Sequence, residues 1–99
     1  MRNNRMDISA WVLGATGEAK RKQGVVAVER ASDGVYNLRF PADKPVRAEA
    51  YHLSVTILNK DTFRSAQLAD VGGATIQVRI FDDAAMPADA DFLFGAERV

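Results

Sequence analysis

Apolar and polar residues alternate along most of this chain, as they do in β-strands that have one buried side and one side in water. Tyr36, Leu38 and Phe40 share one face of such a strand, and Pro41 ends it because proline has no N–H to donate. The most regular alternation covers 48–59, where threonine, valine and isoleucine favour an extended backbone. We predict a strand in each segment.

Turn residues mark the ends of further strands and indicate which neighbouring strands pair as a hairpin. The turn at 31–34 ends in glycine and joins a strand that begins near Val25 to the one that ends at Phe40, which predicts a hairpin. Two glycines at 72–73 mark another turn. The segment 62–71 fits either a helical turn or an irregular strand, and we favour strand or loop.

The carboxyl-terminal quarter has a clear strand pattern that occurs twice. Apolar residues alternate from Ile76 to Ile80, Pro87 keeps the following loop out of any ladder, and a second alternation surrounds Phe92 and Phe94. We predict that the two runs form a β-hairpin and that Phe92 and Phe94 point together into a core.

The amino-terminal strand has an aromatic residue on its polar side. Ile8, Ala10 and Val12 share one face, and Trp11 lies on the opposite face. A large apolar ring in that position needs a subunit contact or a second sheet to cover it. Six or seven short strands separated by turns, with no long amphipathic helix, predict an all-β antiparallel sandwich or jelly roll.

Length and charge limit the possible functions. Ninety-nine residues suffice for one domain, which we divide into an arm at 1–9 and a β-sandwich at 10–99. Thirteen basic and thirteen acidic residues cancel, which disfavours nucleic-acid binding and attachment to a membrane surface. The cations at 20–22 are a local excess, and we predict a solvated turn there. The first residues do not form a signal peptide, and no window is apolar enough for membrane insertion.

Candidate chemistry is sparse. The chain has no cysteine, which excludes disulfides and thiolate metal sites. His52 is the single histidine, and Ser54 on the same strand would lie parallel to it at about 6 to 7 Å, too far for the proton transfer of a catalytic triad. We therefore expect no catalytic residues, no enzyme activity and no cofactor.

Two ligand hypotheses have a sequence basis. The acidic residues at 82–83 and 89–91 could meet at Ca²⁺, but solvated aspartates in turns and at strand starts are the commoner explanation because no glycine-punctuated calcium loop is present. Trp11, Tyr36 and Tyr51 could stack on sugars, although the alternation places both tyrosines in the core.

Two motifs resemble the small β-sandwich domain at the carboxyl ends of bacteriophage tail fibres and of some bacterial surface proteins. The first motif is matched by Gly34, Tyr36, Leu38 and Phe40. The second motif spans a polar turn and is matched by Val78, Arg79, Phe81, Asp89 or Asp91, Phe92 and Phe94. The family pattern often has phenylalanine at the position of Ile76.

This resemblance implies a homotrimer with a tumour necrosis factor-like jelly-roll topology. Subunit contacts or core positions are expected for Trp11, Tyr51, Phe81, Phe92 and Phe94. In this family a long shaft normally precedes the domain, whereas a short arm rich in arginine and asparagine stands in that position here, so we expect a free-standing trimer that the arm fixes to a larger particle. The residues expected to dock this arm are Arg2, Asn3, Asn4 and Arg5.

The sequence therefore predicts a non-enzymatic virion structural protein that is made in the host cytoplasm, either a capsid decoration or a short head or tail appendage. Its expected partners are further copies of itself and another virion protein of the capsid or tail. The alternative is a tail-fibre knob that binds a receptor or a host-surface glycan through loop residues at 20–22 or 82–91.

Overall fold

The computed structural model describes residues 8–58 and 63–99. Every regular element in these ranges is a β-strand, and eight are present where the sequence predicted six or seven. The strands are β1 (Ile8–Val12), β2 (Ala19–Gln23), β3 (Ala27–Ser32), β4 (Val35–Arg39), β5 (Tyr51–Ile57), β6 (Ser65–Gly72), β7 (Thr75–Phe81) and β8 (Phe92–Arg98).

The strands form two antiparallel sheets that pack against each other. Sheet A has the order β2-β1-β8-β5, and sheet B has the order β3-β4-β7-β6. The predicted all-β antiparallel sandwich is therefore confirmed. A jelly roll is one antiparallel ribbon wound into two sheets, so its first strand pairs with the eighth and its second with the seventh. Here β1 does pair with β8, but β2 pairs with β1, and β7 lies between β4 and β6, so the jelly-roll winding is wrong for these strands.

The core lies between the two sheets and is rich in aromatic rings. Phe92 and Phe94 of β8 meet Tyr36 of β4 and Phe40 with ring-centroid distances of 5.1 and 6.0 Å respectively. The Tyr36 and Phe92 rings meet edge to face, which the charge distribution of aromatic rings favours. All four rings are buried, so the inward rows of sheets A and B pack directly on each other.

The predicted hairpin between β7 and β8 is wrong. β7 pairs with β4 and β6, whereas β8 pairs with β1 and β5. The segment 82–91 carries the chain from sheet B to sheet A, so the two strands belong to opposite sheets. Alternation shows which side of a strand is buried but not which strand lies beside it, so both arrangements fit the same pattern.

Lys20, Arg21 and Lys22 lie in β2, which corrects the prediction of a turn. β2 is an edge strand of sheet A, and these three side chains are exposed. Its backbone pairs with β1, where Arg21 is opposite Trp11. Because backbone pairing rather than burial defines this strand, it carries no apolar alternation that the sequence could show.

Three other predictions can be compared with the strands. β3 and β4 form the predicted hairpin. The ambiguous segment 62–71 holds most of β6, so strand was the correct interpretation from Ser65 onward. β1 begins at Ile8, which is buried, and the sandwich thus includes Ile8 and Ser9, which the predicted boundary assigned to the arm.

Candidate functional site

The outer face of sheet A presents two large apolar residues side by side. Trp11 on β1 is directly opposite Leu93 on β8, and the two residues are 38% and 42% exposed. β1 and β8 are the central strands of the sheet, so this pair lies in the middle of the face. An exposed apolar group in such a position is typical of an interaction surface.

A shallow groove of about 290 Å³ lies beside this apolar pair. Its floor includes Gly95, which has no side chain and lies between Ser9 and Ser54 of the neighbouring strands. Arg21 and Thr56 also line it, so the groove offers a guanidinium and several hydroxyl groups. We refer to Trp11, Leu93 and this groove together as the Trp11 platform.

The aromatic residues predicted as core or interface are divided between the two environments. The two late phenylalanines lie in the core, as described above. Tyr51 and Phe81 are half-buried, and the Arg98 guanidinium lies 5.5 Å from the centroid of the Tyr51 ring. Trp11 faces outward. The residues predicted to dock the arm, Arg2, Asn3, Asn4 and Arg5, lie outside the described residues.

A hydrogen-bond network at one end of the sandwich is centred on Asp89. Asp89 Oδ1 accepts hydrogen bonds from the Gly34 N–H at 2.7 Å and from the Tyr36 hydroxyl at 2.9 Å. Arg30 Nη2 lies 2.9 Å from Asp89 Oδ2 and 2.6 Å from Asp33 Oδ1. The loop that precedes β8 is thereby attached to the β3–β4 hairpin of sheet B. We call these residues the Asp89 network.

The same loop is attached to sheet A through Gly14, which follows β1. Gly14 donates its N–H to Asp91 Oδ1 at 2.7 Å, and its carbonyl accepts a hydrogen bond from the Tyr36 hydroxyl at 2.8 Å. The single hydroxyl proton of Tyr36 thus lies between Gly14 O and the Asp89 carboxylate. These contacts connect the two sheets.

The environment shifts two pKa values in the Asp89 network in opposite directions. Burial alone would raise the pKa of Asp89, but the Arg30 guanidinium, the Gly34 N–H and the Tyr36 hydroxyl stabilise the carboxylate and hold its pKa below its usual value. Burial raises the pKa of Tyr36, and the neighbouring Asp89 carboxylate raises it further because a second negative charge is disfavoured. An ionised aspartate therefore accepts a hydrogen bond from a protonated tyrosine, which stabilises the fold.

Three of the four aspartates considered for Ca²⁺ bind their own chain instead of meeting at one point. Asp82 Oδ1 accepts hydrogen bonds from the N–H groups of Met86 and Ala84 at 3.0 and 2.9 Å, and these hold the pKa of Asp82 below its usual value. Asp89 and Asp91 make the contacts described above. Within 8–58 and 63–99, no three His, Cys, Asp or Glu side chains are grouped so that they could hold a metal ion.

The remaining candidates lie where the alternation places them. His52 and Ser54 are both exposed on β5 and point to the same side. Tyr36 is fully buried and Tyr51 is half-buried. Of the three aromatic residues considered for sugar stacking, Trp11 therefore offers the exposed ring.

Sequence reasoning did not identify the Asp89 network. Arg30 and Asp89 are 59 positions apart, and no local spacing connects them. Tyr36 gave the one available signal, because a buried tyrosine needs a hydrogen-bond partner for its hydroxyl group. Nothing in the sequence showed that this partner would come from the loop before β8.

In the described part of the chain, no helix is long and apolar enough to cross a membrane.

The comparisons with known proteins leave the family open. No protein family, curated protein or solved structure gave a significant match to this chain. The resemblance to tail-fibre domains stays a prediction.

Proposed function

We propose that this protein is a non-enzymatic structural subunit of a bacteriophage particle. In this proposal the sandwich associates as a homotrimer and attaches to another virion protein, as a capsid decoration or a short head or tail appendage. The sequence motifs that resemble tail-fibre domains support the phage assignment. The Trp11 platform is the structural observation that supports self-association.

The chemistry of the platform favours a second copy of the chain as its occupant. Its apolar centre would lose exposed area on association, and a central tryptophan is typical of the residues that contribute most to interface affinity. Arg21 and Glu97 lie on the same sheet, so the face offers both signs of charge to an incoming copy. The balanced net charge of the chain adds no general repulsion between copies.

The native mass of the purified protein tests this proposal. The wild type is expected at three times the chain mass or at a multiple of that mass, and Trp11→Lys and Leu93→Lys are each expected to weaken trimer formation at least about 30-fold, since a central interface residue contributes about 2 kcal/mol or more. Val26→Lys is the matched control, because Val26 is also exposed but lies outside sheet A. A monomeric wild type, or an unchanged mass in both platform variants, would exclude this interface.

Attachment to the particle is tested by removing residues 1–7. The deletion stops before Ile8, because Ile8 is buried in β1. The shortened protein is expected to keep the same number of subunits as the wild type and to lose co-sedimentation with phage particles. Unchanged co-sedimentation would contradict a docking role for the arm.

A glycan-binding surface is the second candidate function, and the groove of the Trp11 platform is the observation that favours it. An exposed ring beside a guanidinium and hydroxyl groups could stack on a sugar and hydrogen-bond to its hydroxyls. Arg21, one of the cations first considered for this role, does line the groove. Specific glycan binding that Arg21→Ala abolishes, in a wild type that is monomeric, would favour this function over assembly.

A further inference from the structure

β5 is an edge strand without the features that normally prevent edge strands from pairing. Within the described chain, β5 pairs with β8 on one side and with no strand on the other. Its seven residues include no Asp, Glu, Lys or Arg and no proline. Its register with β8 is unbroken from Tyr51 opposite Arg98 to Ile57 opposite Phe92. A regular, uncharged edge presents a row of unpaired N–H and C=O groups to another chain.

The other three edge strands differ from β5 in charge and in regularity. β2 carries three consecutive cations, and its pairing with β1 contains a register shift. β3 carries Glu29 and Arg30 and also has a register shift. β6 carries Asp70, where its register with β7 is broken. Charges and bulges of this kind are the usual protection of sheet edges, so β5 is exceptional among the strands of the described chain.

The direction of the backbone groups on β5 follows from its ends. Ala50 and Leu58, which flank the strand, both hydrogen-bond to the residues that flank β8. The direction of the backbone groups alternates from one residue to the next along an antiparallel strand. The even-numbered residues between Ala50 and Leu58 therefore also turn their N–H and C=O groups towards β8. The residues that turn these groups away from the sheet are Tyr51, Leu53, Val55 and Ile57.

The same four residues have incompletely buried side chains. They point towards the core, yet each is half-buried, whereas the inward residues of the central strand β7 are fully buried. The core is therefore thinner along β5 than at the centre of the sandwich. A strand added beside β5 would satisfy the backbone groups and cover these side chains together.

We infer that β5 pairs antiparallel with β5 of a second copy, so that the two A sheets continue into each other across a two-fold axis. The strand is centred on Ser54, and the register that matches its full length sets Ser54 opposite Ser54 of the second copy. Leu53 then lies opposite Val55, and Tyr51 lies opposite Ile57. The outward-facing backbone groups fall in the hydrogen-bonded pairs of this register, and no like charges meet.

This contact differs from the apolar pair of the Trp11 platform, because it is made by backbone groups at the edge of sheet A, although Ser54 and Thr56 of β5 also line the platform groove. A two-fold contact is self-complementary and closes as a pair of subunits. Together with a trimer, it would link neighbouring trimers. Without a trimer, it would give a simple dimer, so the inference does not depend on the proposed function.

Single cysteines provide the test, since the chain has none of its own. In the inferred register the two Ser54 Cα atoms form a non-hydrogen-bonded pair about 4.5 Å apart, within the range that a disulfide spans. Ser54→Cys is therefore expected to form a disulfide-linked dimer under mild oxidation. Thr56→Cys is the matched control on the same exposed face of β5, and the Cα atoms of its two copies would be about 14 Å apart, so they are expected to stay unlinked.

A mixture of two variants tests the register itself. His52 of one copy lies opposite Thr56 of the other, so His52→Cys and Thr56→Cys are expected to cross-link when mixed and not when each is alone. Cross-linking of Ser54→Cys is expected to persist in the Leu93→Lys background, which separates this contact from the platform. Absence of the Ser54→Cys dimer, or equal cross-linking of Thr56→Cys alone, would overturn the inference.

Discussion

Asp89 connects segments that lie far apart in the chain, and its charge determines how strongly it does so. Its carboxylate is hydrogen-bonded to a guanidinium, a backbone N–H and a tyrosine hydroxyl. Hydrogen bonds to a charged group contribute about 1.5 to 3 kcal/mol, roughly twice the value for neutral pairs. A residue on a loop can therefore stabilise this sandwich as much as a core side chain does.

Asp89→Asn is expected to lower the free energy of unfolding by about 2 kcal/mol, because the amide is uncharged and cannot accept from all three donors. Urea denaturation at pH 7 measures this difference. Asp83→Asn is the matched control, since Asp83 is an exposed aspartate of the same loop, and it is expected to change the free energy by less than about 0.5 kcal/mol. If both variants lose the same free energy of unfolding, the Asp89 network does not contribute specifically to stability.

The lowered pKa of Asp89 predicts how the stability of the protein changes in acid. The carboxylate has a lower pKa in the folded chain than in the unfolded chain, where it is about 3.9. Its stabilising contribution is therefore present above about pH 4 and is lost as the pH falls through the folded pKa. Asp89→Asn is expected to show a shallower loss of stability below pH 4, with Asp82 retaining part of the slope because its pKa is also lowered. A slope identical to that of the wild type would contradict this assignment.

At the scale of elements, the β3–β4 hairpin depends on the turn that contains Gly34. This residue has a φ of +70°, and a Cβ atom there would lie 2.5 Å from Ile80 O and 2.7 Å from Ala88 N. Ile80 also donates its N–H to Gly34 O at 2.7 Å. The turn thus lies directly against β7 and the loop that leads to β8, where no side chain fits.

Gly34→Ala is expected to destabilise the protein by at least about 3 kcal/mol, because the steric clash adds to the cost of a left-handed conformation. Gly73→Ala is the matched control. Gly73 has a φ of +61°, but a Cβ atom added there would have no other atom within 4 Å, so its cost is expected to be about 1 kcal/mol. Thermal denaturation compares the two variants, and similar melting temperatures would show that the close packing at Gly34 is not important.

The strands differ in how much of their structure the sequence could predict. β4, β5 and β7 each have one side facing the core, and their sequences therefore alternate between apolar and polar residues. β2 has both sides largely exposed, and its cations gave no such pattern. Strand identity was therefore predictable where burial selects the side chains and was missed where backbone pairing alone forms the strand.

At the scale of the whole molecule, the two surfaces proposed for assembly both belong to sheet A. Trp11 and Leu93 lie on the outer face of its two central strands, and the β5 edge lies at its border, with Ser54 and Thr56 of β5 also lining the groove of the platform. Sheet B contributes no proposed interface but holds the loop before β8 through the Asp89 network. That loop leads into β8, which lies between β1 and β5.

The sequence by itself determined that this chain forms an antiparallel sandwich and which residues face its core. It did so because burial of one side of each strand acts on every second residue, and that regularity is local. The tertiary structure alone decided that β7 and β8 lie in opposite sheets, that Asp89 joins Arg30, Gly34 and Tyr36, and that β5 is left at an edge. Those features depend on which distant segments meet, and a local pattern does not record a partner that lies far away along the chain.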